Sequence, residues 1–355
     1  MALGKSQLSS HLTLTKGRGI LSRPSFFYSM FAFIVLRLAQ AAVVMVTVAL
    51  ISFMLFQYVG DPVVFLLGQD ATQEQIRELR QALGLDQSFV VQFWHFLVNA
   101  SQGEFGFSLR QSTKVSVLIA ERFPATLELA LVAGLLALIL GIPMGVYAAL
   151  RRGSFLSQVF MLISLIGVSL PTFLIGILLI LVFAVTLGWF PSFGRGDVVT
   201  IGWWTSGLLT AKGWHHIVLP AVTLAIFQLT LIMRLVRAEM VEVLRTDYIK
   251  FARARGLTTR AVHFGHALKN TLVPVMTITG LQLGGLIAFA IITETVFQWP
   301  GMGLLFIQAV THADIPVMAA YLCLIALIFV IINLIVDLLY FAVDPRLRVE
   351  KSGGH

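Results

Sequence analysis

The chain has 355 residues, of which 58% are hydrophobic and 12% charged, and its formal net charge is +8. So small a charged share, about half that of a soluble domain, excludes a surface that faces water throughout; lipid must cover much of it. The one cysteine, Cys323, excludes an internal disulfide and any metal site built on several thiolates.

Residues 1–30 are polar and basic, with Lys5, Lys16, Arg18 and Arg23. The apolar stretch behind them is too long for the core of a cleaved signal, and no A-x-A site follows it, so it reads as a retained first span. Gly4-Lys5-Ser6 looks like the end of a phosphate loop, but only three residues precede it. The upstream glycine, the strand and the following helix of a nucleotide site are missing.

A membrane-spanning helix needs about 20 mostly apolar residues. Charge-free runs of that order are Leu38–Gly60, Leu129–Leu150, Gly153–Gly194, Gly213–Met233, Asn270–Thr293 and Ile315–Val336. The third run, 42 residues long, holds Pro171 and has room for one long helix or two short ones. Charge decides between them. With six spans and a cytoplasmic N-terminus, 18 of the 25 Lys and Arg residues lie inside, and Arg234–Lys269 alone supplies eight of them. Splitting the third run would put that segment outside, against the positive-inside bias. The sequence therefore predicts one span there, both termini cytoplasmic, and an all-α fold of about six transmembrane helices.

Three segments then face outward. Between Asp61 and Arg122, Thr72–Leu83 reads as a helix capped by Thr72 and closed by Gly84. Arg195–Trp214 carries Trp203, Trp204 and Trp214, residues suited to a membrane interface. Gln298–Asp314 carries Trp299-Pro300-Gly301 and then Leu304–Val310, too short to cross and expected to lie at the interface or to dip in and return. The expected organisation is a cytoplasmic tail (1–30), a first span (31–60), an extracytoplasmic insertion (61–117), a core of five spans (118–342) and a cytoplasmic end (343–355), with a basic loop at 234–272.

That loop is the most informative segment. Thr246 or Asp247 is placed to cap a helix over Tyr248–Arg255, with Ile249, Phe251 and Ala252 offering apolar contact. Gly256 stops it, and Thr258 or Thr259 caps a second helix leading into the next span. A short, small-residue helix of this kind, held by a glycine hinge between two spans, can dock into a groove on another protein.

The pattern Asp247-Tyr248-Ile249-Lys250-x-Ala252-Arg253-Ala254-Arg255-Gly256-Leu257, followed by His266-Ala267-Leu268 and Pro274, resembles the coupling loop of importer permeases in the ATP-binding cassette superfamily. It looks most like the dipeptide and oligopeptide branch, and within it the B-type membrane subunit. The general loop begins Glu-Ala-Ala and reaches a glycine four residues after the second alanine. Here Lys250 and Phe251 fill the first two places, while Ala252 and Gly256 keep the rest. Further matches are Gly60-Asp61-Pro62, Leu83-Gly84-Leu85-Asp86, Gly103-Glu104-Phe105-Gly106-Phe107-Ser108, Arg122-Phe123-Pro124-Ala125-Thr126-Leu127-Glu128-Leu129, Thr293–Gly303 and Asp344-Pro345-Arg346. The first 30 residues have no counterpart.

The resemblance implies a type I importer permease fold and a chain that is half of a pore in the inner membrane of a bacterium. It implies a second homologous permease subunit that pairs with this chain as a heterodimer, two cytoplasmic ATPases that bind the coupling loops, and an extracytoplasmic solute-binding protein. ATP and Mg would be used by the ATPases, with no cofactor and no metal on this chain. The residues it marks for ATPase coupling are Asp247, Tyr248, Ala252, Arg253, Ala254, Gly256 and Leu257, with Ala252 and Ala254 letting the helix sit deep in the ATPase groove. The branch carries peptides and, in some members, nickel, glutathione or sugars.

Other residues leave alternatives open. Gly141-x-x-x-Gly145 and Gly280-x-x-x-Gly284 permit close helix approach, within this chain or against a partner. Gln228 and Gln282 are polar groups inside spans, suited either to interhelical hydrogen bonds or to lining a solute path, and Glu294 sits where an outer gate would close. Asp337 and Asn333 lie toward the inner end of the last span. His215-His216 lacks an accompanying carboxylate or thiolate for a metal, and no constellation points to covalent catalysis or to nucleic acid. A stand-alone secondary transporter would call for mid-membrane ionisable residues and inverted repeats, and neither stands out. A non-transporting scaffold would not need the loop pattern.

Overall fold

The computed structural model describes residues 24–58, 72–82, 86–108 and 110–343. Gly4-Lys5-Ser6, Gly60-Asp61-Pro62, Leu83-Gly84-Leu85 and Asp344-Pro345-Arg346 lie outside the described residues. Helix α1 is Pro24–Tyr58; its part up to Gln40 belongs to one compact unit, and Ala41 onward to another. In that second unit follow α2 (Gln73–Ala82), α3 (Phe89–Ser101), α4 (Val115–Leu150), α5 (Phe155–Ser169), α6 (Thr172–Leu179), α7 (Ala211–Val243), α8 (Asp247–Ala254), α9 (Leu268–Val296), α10 (Met302–Thr311) and α11 (Ile315–Val343).

Among the described residues, four unbroken helices are long and apolar enough to cross a membrane: Ile34–Leu55 within α1, α4, α7, and Ile315–Leu338 within α11. Taking each of two bent pairs as one span brings the number to six, the count of the charge-free runs. The third run is not a gently kinked helix. Its arms, Phe155–Ser169 and Thr172–Thr186, are bent by 114° across Leu170-Pro171. Pro171 has no N–H to continue the ladder of α5, and it starts α6 instead. Each arm is about 22 Å long at 1.5 Å per residue, shorter than the hydrocarbon layer, so neither arm crosses it alone. A π-helical turn, Ile180–Thr186, ends it.

The centre of the fold is α4 against α7. Along α4, Ala125, Leu129, Ala133, Ala137, Gly141, Gly145 and Ala149 recur every fourth residue and are all buried. In lipid no hydrophobic gain draws helices together, so close packing of small residues must do it. The contact is tight: a Cβ on Gly145 would lie 2.7 Å from both the Met233 carbonyl oxygen and Val236 Cβ, and one on Gly141 would lie 3.1 Å from the Leu229 oxygen. A second glycine pair works on α9, where a Cβ at Gly280 would meet Val336 at 2.6 Å and one at Gly284 would meet Phe329 at 2.9 Å. Both glycine pairs therefore face helices of this same chain. Between them, α9 bends by 55°.

Among the described residues between the spans there is more structure than an all-α reading predicts. Thr72 Oγ1 accepts from Gln75 N–H, and Gln75 Oε1 accepts from Thr72 N–H at 3.0 Å, a reciprocal cap on α2. Phe53 of α1 packs among Phe89, Phe93 and Phe96 of α3. Two small antiparallel hairpins are present, β1 (Phe107–Ser108) with β2 (Thr113–Lys114), and β3 (Val199–Ile201) with β4 (Trp204–Ser206). Trp203 and Trp214 are exposed, while Trp204 turns its ring edge toward Phe123. Helix α10 is too short to cross; it tucks Met302, Leu305 and Ala309 against Val115, Leu118, Val317 and Tyr321.

Candidate functional site

The basic loop is a built structure. Beyond α7 the chain turns through Leu244–Thr246, and α8 begins. The expected side-chain cap is not made: Thr246 donates its hydroxyl back to the Val243 carbonyl at 2.6 Å, and Asp247 accepts from Lys250 Nζ at 2.8 Å in an exposed pair. The Val243 carbonyl, at the end of α7, accepts from Thr246 twice, from its backbone N–H at 3.1 Å and from its hydroxyl.

Helix α8 presents two faces. Ile249 (0% exposed) and Ala252 (7%) join Val262 and Ala267 in the core. Asp247, Tyr248, Lys250, Phe251, Arg253, Ala254, Gly256 and Leu257 face outward. Two expectations change here. Phe251 gives no buried contact; it is 64% exposed, with the Arg255 guanidinium 5.6 Å from its ring centre. Ala252 points into this chain, not into a groove outside it, because its spacing of three from Ile249 places both on one side of the helix.

The end of α8 is a Schellman turn. Leu257 N–H donates to the Ala252 carbonyl at 3.3 Å and Gly256 N–H to Arg253 at 2.9 Å. Gly256 has φ +79°, a conformation that costs a side-chain-bearing residue about 1–2 kcal/mol. Thr258 Oγ1 then accepts from Ala261 N–H at 3.3 Å and starts the next helix, which passes through a π-helical turn, Ala261–Ala267, into α9. Asn270, near the start of α9, donates Nδ2–H to Tyr248 Oη at 2.6 Å. Tyr248 thus ties α8 to the first turn of the following span, a link that needs the fold to be seen.

At the other end of α9 lies a second arrangement. Glu294 is fully buried, its Oε1 accepting from Thr126 Oγ1–H at 2.6 Å and its Oε2 from Leu304 N–H at 3.0 Å. Thr126 Oγ1 in turn accepts from Met302 N–H at 2.8 Å, and Trp299 donates Nε1–H to the Ala125 carbonyl at 3.0 Å. Helix α10 begins at Gly301, which has no side chain to cap with, and Glu294 supplies the acceptor from α9. A Cβ at Gly301 would fall on that carboxylate. Glu294 is therefore a clamp joining α4, α9 and α10, and no part of it faces open space. Gln228 is also buried, at 3% exposed, while Gln282 is half-buried.

Sequence reasoning missed a further pair. Arg195 Nη2 meets Glu128 Oε2 at 2.7 Å, with side chains 6% and 5% exposed. Arg195 also donates to the Thr205 carbonyl at 2.6 Å, and Glu128 accepts from Gly207 N–H at 3.2 Å, so the β3–β4 hairpin is tied to α4. Glu128 is the lone charge between Arg122 and Arg151, and that isolation is the signal that marks it. His215 and His216 each hold a backbone carbonyl, of Trp189 and Lys212 respectively. Among the described residues no group of three or more His, Cys, Asp or Glu is placed to hold a metal.

Apolar helices packed on glycine pairs, with a short two-faced helix in the basic loop, describe a polytopic membrane protein. The chain matches the model described as "Binding-protein-dependent transport system inner membrane component" over residues 141–349, and the model of the corresponding N-terminal part over residues 30–130. It belongs to that family: it is a permease subunit of an ATP-binding cassette importer, a multi-pass inner-membrane transport component and not an enzyme. It is 40% identical over 323 residues to a putative peptide transport system permease protein of Brucella abortus (strain 2308), covering 90% of this chain and 100% of that one. It is 39% identical over 308 residues to the glutathione transport system permease protein GsiC of Escherichia coli (strain K12), covering 86% and 95%. Among solved structures, the inward-facing MetNI methionine transporter is 21% identical, with a TM-score of 0.48 over 62% of this chain and 93% of that one.

Proposed function

We propose that this permease carries dipeptides or oligopeptides delivered by an extracytoplasmic binding protein, and pairs with a second, homologous permease subunit to enclose the path. Two partner ATPases, using ATP and Mg, engage α8 from the cytoplasm, where both termini also lie. The observation that carries this reading is the two-faced build of α8: Ile249 and Ala252 anchor it to the spans while Asp247, Tyr248, Arg253, Ala254, Gly256 and Leu257 remain outside. Eight positive charges between Arg234 and Lys269 support a cytoplasmic position for that loop. Peptide is supported by the 40% identity to the Brucella protein across its full length. The 39% identity to GsiC favours glutathione as the second reading.

Of the three residues first marked for the path, Gln282 is the one with a side chain not fully enclosed by this chain. The test is reconstitution: a tagged chain should bring down a second permease and two ATPases, and proteoliposomes with the binding protein should accumulate labelled dipeptide with ATP inside the ATPase compartment. Recovery as a transporting homo-oligomer without ATPases would overturn the reading. ATP-driven uptake of glutathione with no uptake of di- or oligopeptides would replace its solute.

A further inference from the structure

A crevice of about 380 Å³ opens between α5 and α7, lined by Met161, Leu162, Ser164, Leu165 and Arg234. The two helices run antiparallel in a register read from three contacts. A Cβ at Gly167 would meet Thr230, the crevice sets Ser164 beside Arg234, and Arg237 Nη1 lies 3.1 Å from the Met161 sulfur. Arg234 and Arg237 thus share the face of α7 that meets α5.

Neither guanidinium has a carboxylate partner in an ion pair among the described residues. The thioether of Met161 is a weak acceptor, and Arg237 Nε is buried with no hydrogen-bond partner. Two arginines with most of their donors unspent, at the end of a span, call for an anion. The surroundings say which kind. Leu162 and Leu165 are 57% and 59% exposed, so the crevice opens onto an apolar rim suited to hydrocarbon. Arg234 is the first charge after the apolar run that ends at Met233, which puts the guanidinium groups at headgroup depth and the rim toward the acyl region.

We propose that this crevice holds one anionic phospholipid, its phosphate between Arg234 and Arg237 and an acyl chain along Met161, Leu162 and Leu165. The site lies outside α8 and the Glu294 clamp. It depends on the topology proposed above only for its leaflet, and its test needs no transport.

The full chain with its partner subunits is placed in nanodiscs of phosphatidylcholine and phosphatidylglycerol in equal parts, and retained lipid is counted by native mass spectrometry. The expected result is one phosphatidylglycerol held per chain, preferred over phosphatidylcholine by roughly 10- to 30-fold, as two basic groups acting near a charged surface imply. Arg234→Gln with Arg237→Gln should abolish the preference, and the Lys substitutions at both positions should keep most of it, which separates loss of the site from misfolding. Leu165→Trp, which fills the crevice and spares both arginines, should also release the lipid. Retention unchanged in the Gln or Trp variants would overturn the proposal. So would crosslinking of Arg234 to a carboxylate of a partner subunit, or displacement of phosphatidylglycerol by a free peptide.

Discussion

Replacing Arg195 by Met is the sharpest test of how the β3–β4 hairpin is held to α4. Arg195 and Glu128 are 2.7 Å apart with side chains 6% and 5% exposed, so neither charge falls back on water when the other is removed. Breaking a buried pair from one side costs about 3–5 kcal/mol, because the remaining charge stays buried and unpaired. After Arg195→Met, Glu128 keeps only the Gly207 N–H, and the Thr205 carbonyl loses its donor. Glu128→Met should cost a similar amount. Were the residues independent, the double variant would cost the sum, about 6–10 kcal/mol. With both charges gone, what remains is two unsatisfied backbone groups, about 1–3 kcal/mol each, so the double variant should lie near or below either single one. Unfolding by denaturing detergent, followed by tryptophan fluorescence and size-exclusion profile, gives the three values. Additive losses, or single losses below about 1 kcal/mol, would refute the reasoning.

At Gly256, Ala should cost about 1–2 kcal/mol locally and lower uptake per ATP hydrolysed, whereas Asn, which tolerates φ +79°, should retain coupling; equal coupling in both would count against the Schellman turn. Ala252→Glu puts a carboxylate into the core and should reduce the amount of folded protein, while Ala254→Glu, on the exposed face, should leave folding intact and weaken ATPase co-purification. The opposite pattern would reverse the two faces of α8. Gly145→Val must part α4 from α7, and a loss of about 1–3 kcal/mol in the same detergent titration is expected; wild-type stability would show that the contact yields freely.

The spans are legible in the sequence because a charge in hydrocarbon is costly, so their edges are written as charged residues. The loop helix is legible because Gly256 is placed to end it. What the sequence hides is direction and distance. It marks Ala252 as small without saying that the methyl faces inward. It offers Thr246 as a cap, but the Val243 carbonyl lies closer to the hydroxyl than any N–H of α8. It shows Pro171 without the 114° that follows, since the angle is set by what α5 and α6 pack against. The Glu294 clamp joins residues 168 positions apart, and no local pattern carries such a pairing.

That clamp has a mechanical consequence. Thr126, Glu294, Trp299 and Met302 rivet three elements through buried hydrogen bonds of 2.6–3.0 Å. At the opposite end of α9, Tyr248 and Asn270 join the docking helix to the same rod. α9 is thus tied at both ends, to α8 at one and to α4 and α10 at the other, so a displacement of either end is carried along its length. Between those two ties lies the 55° bend, where the helix direction changes.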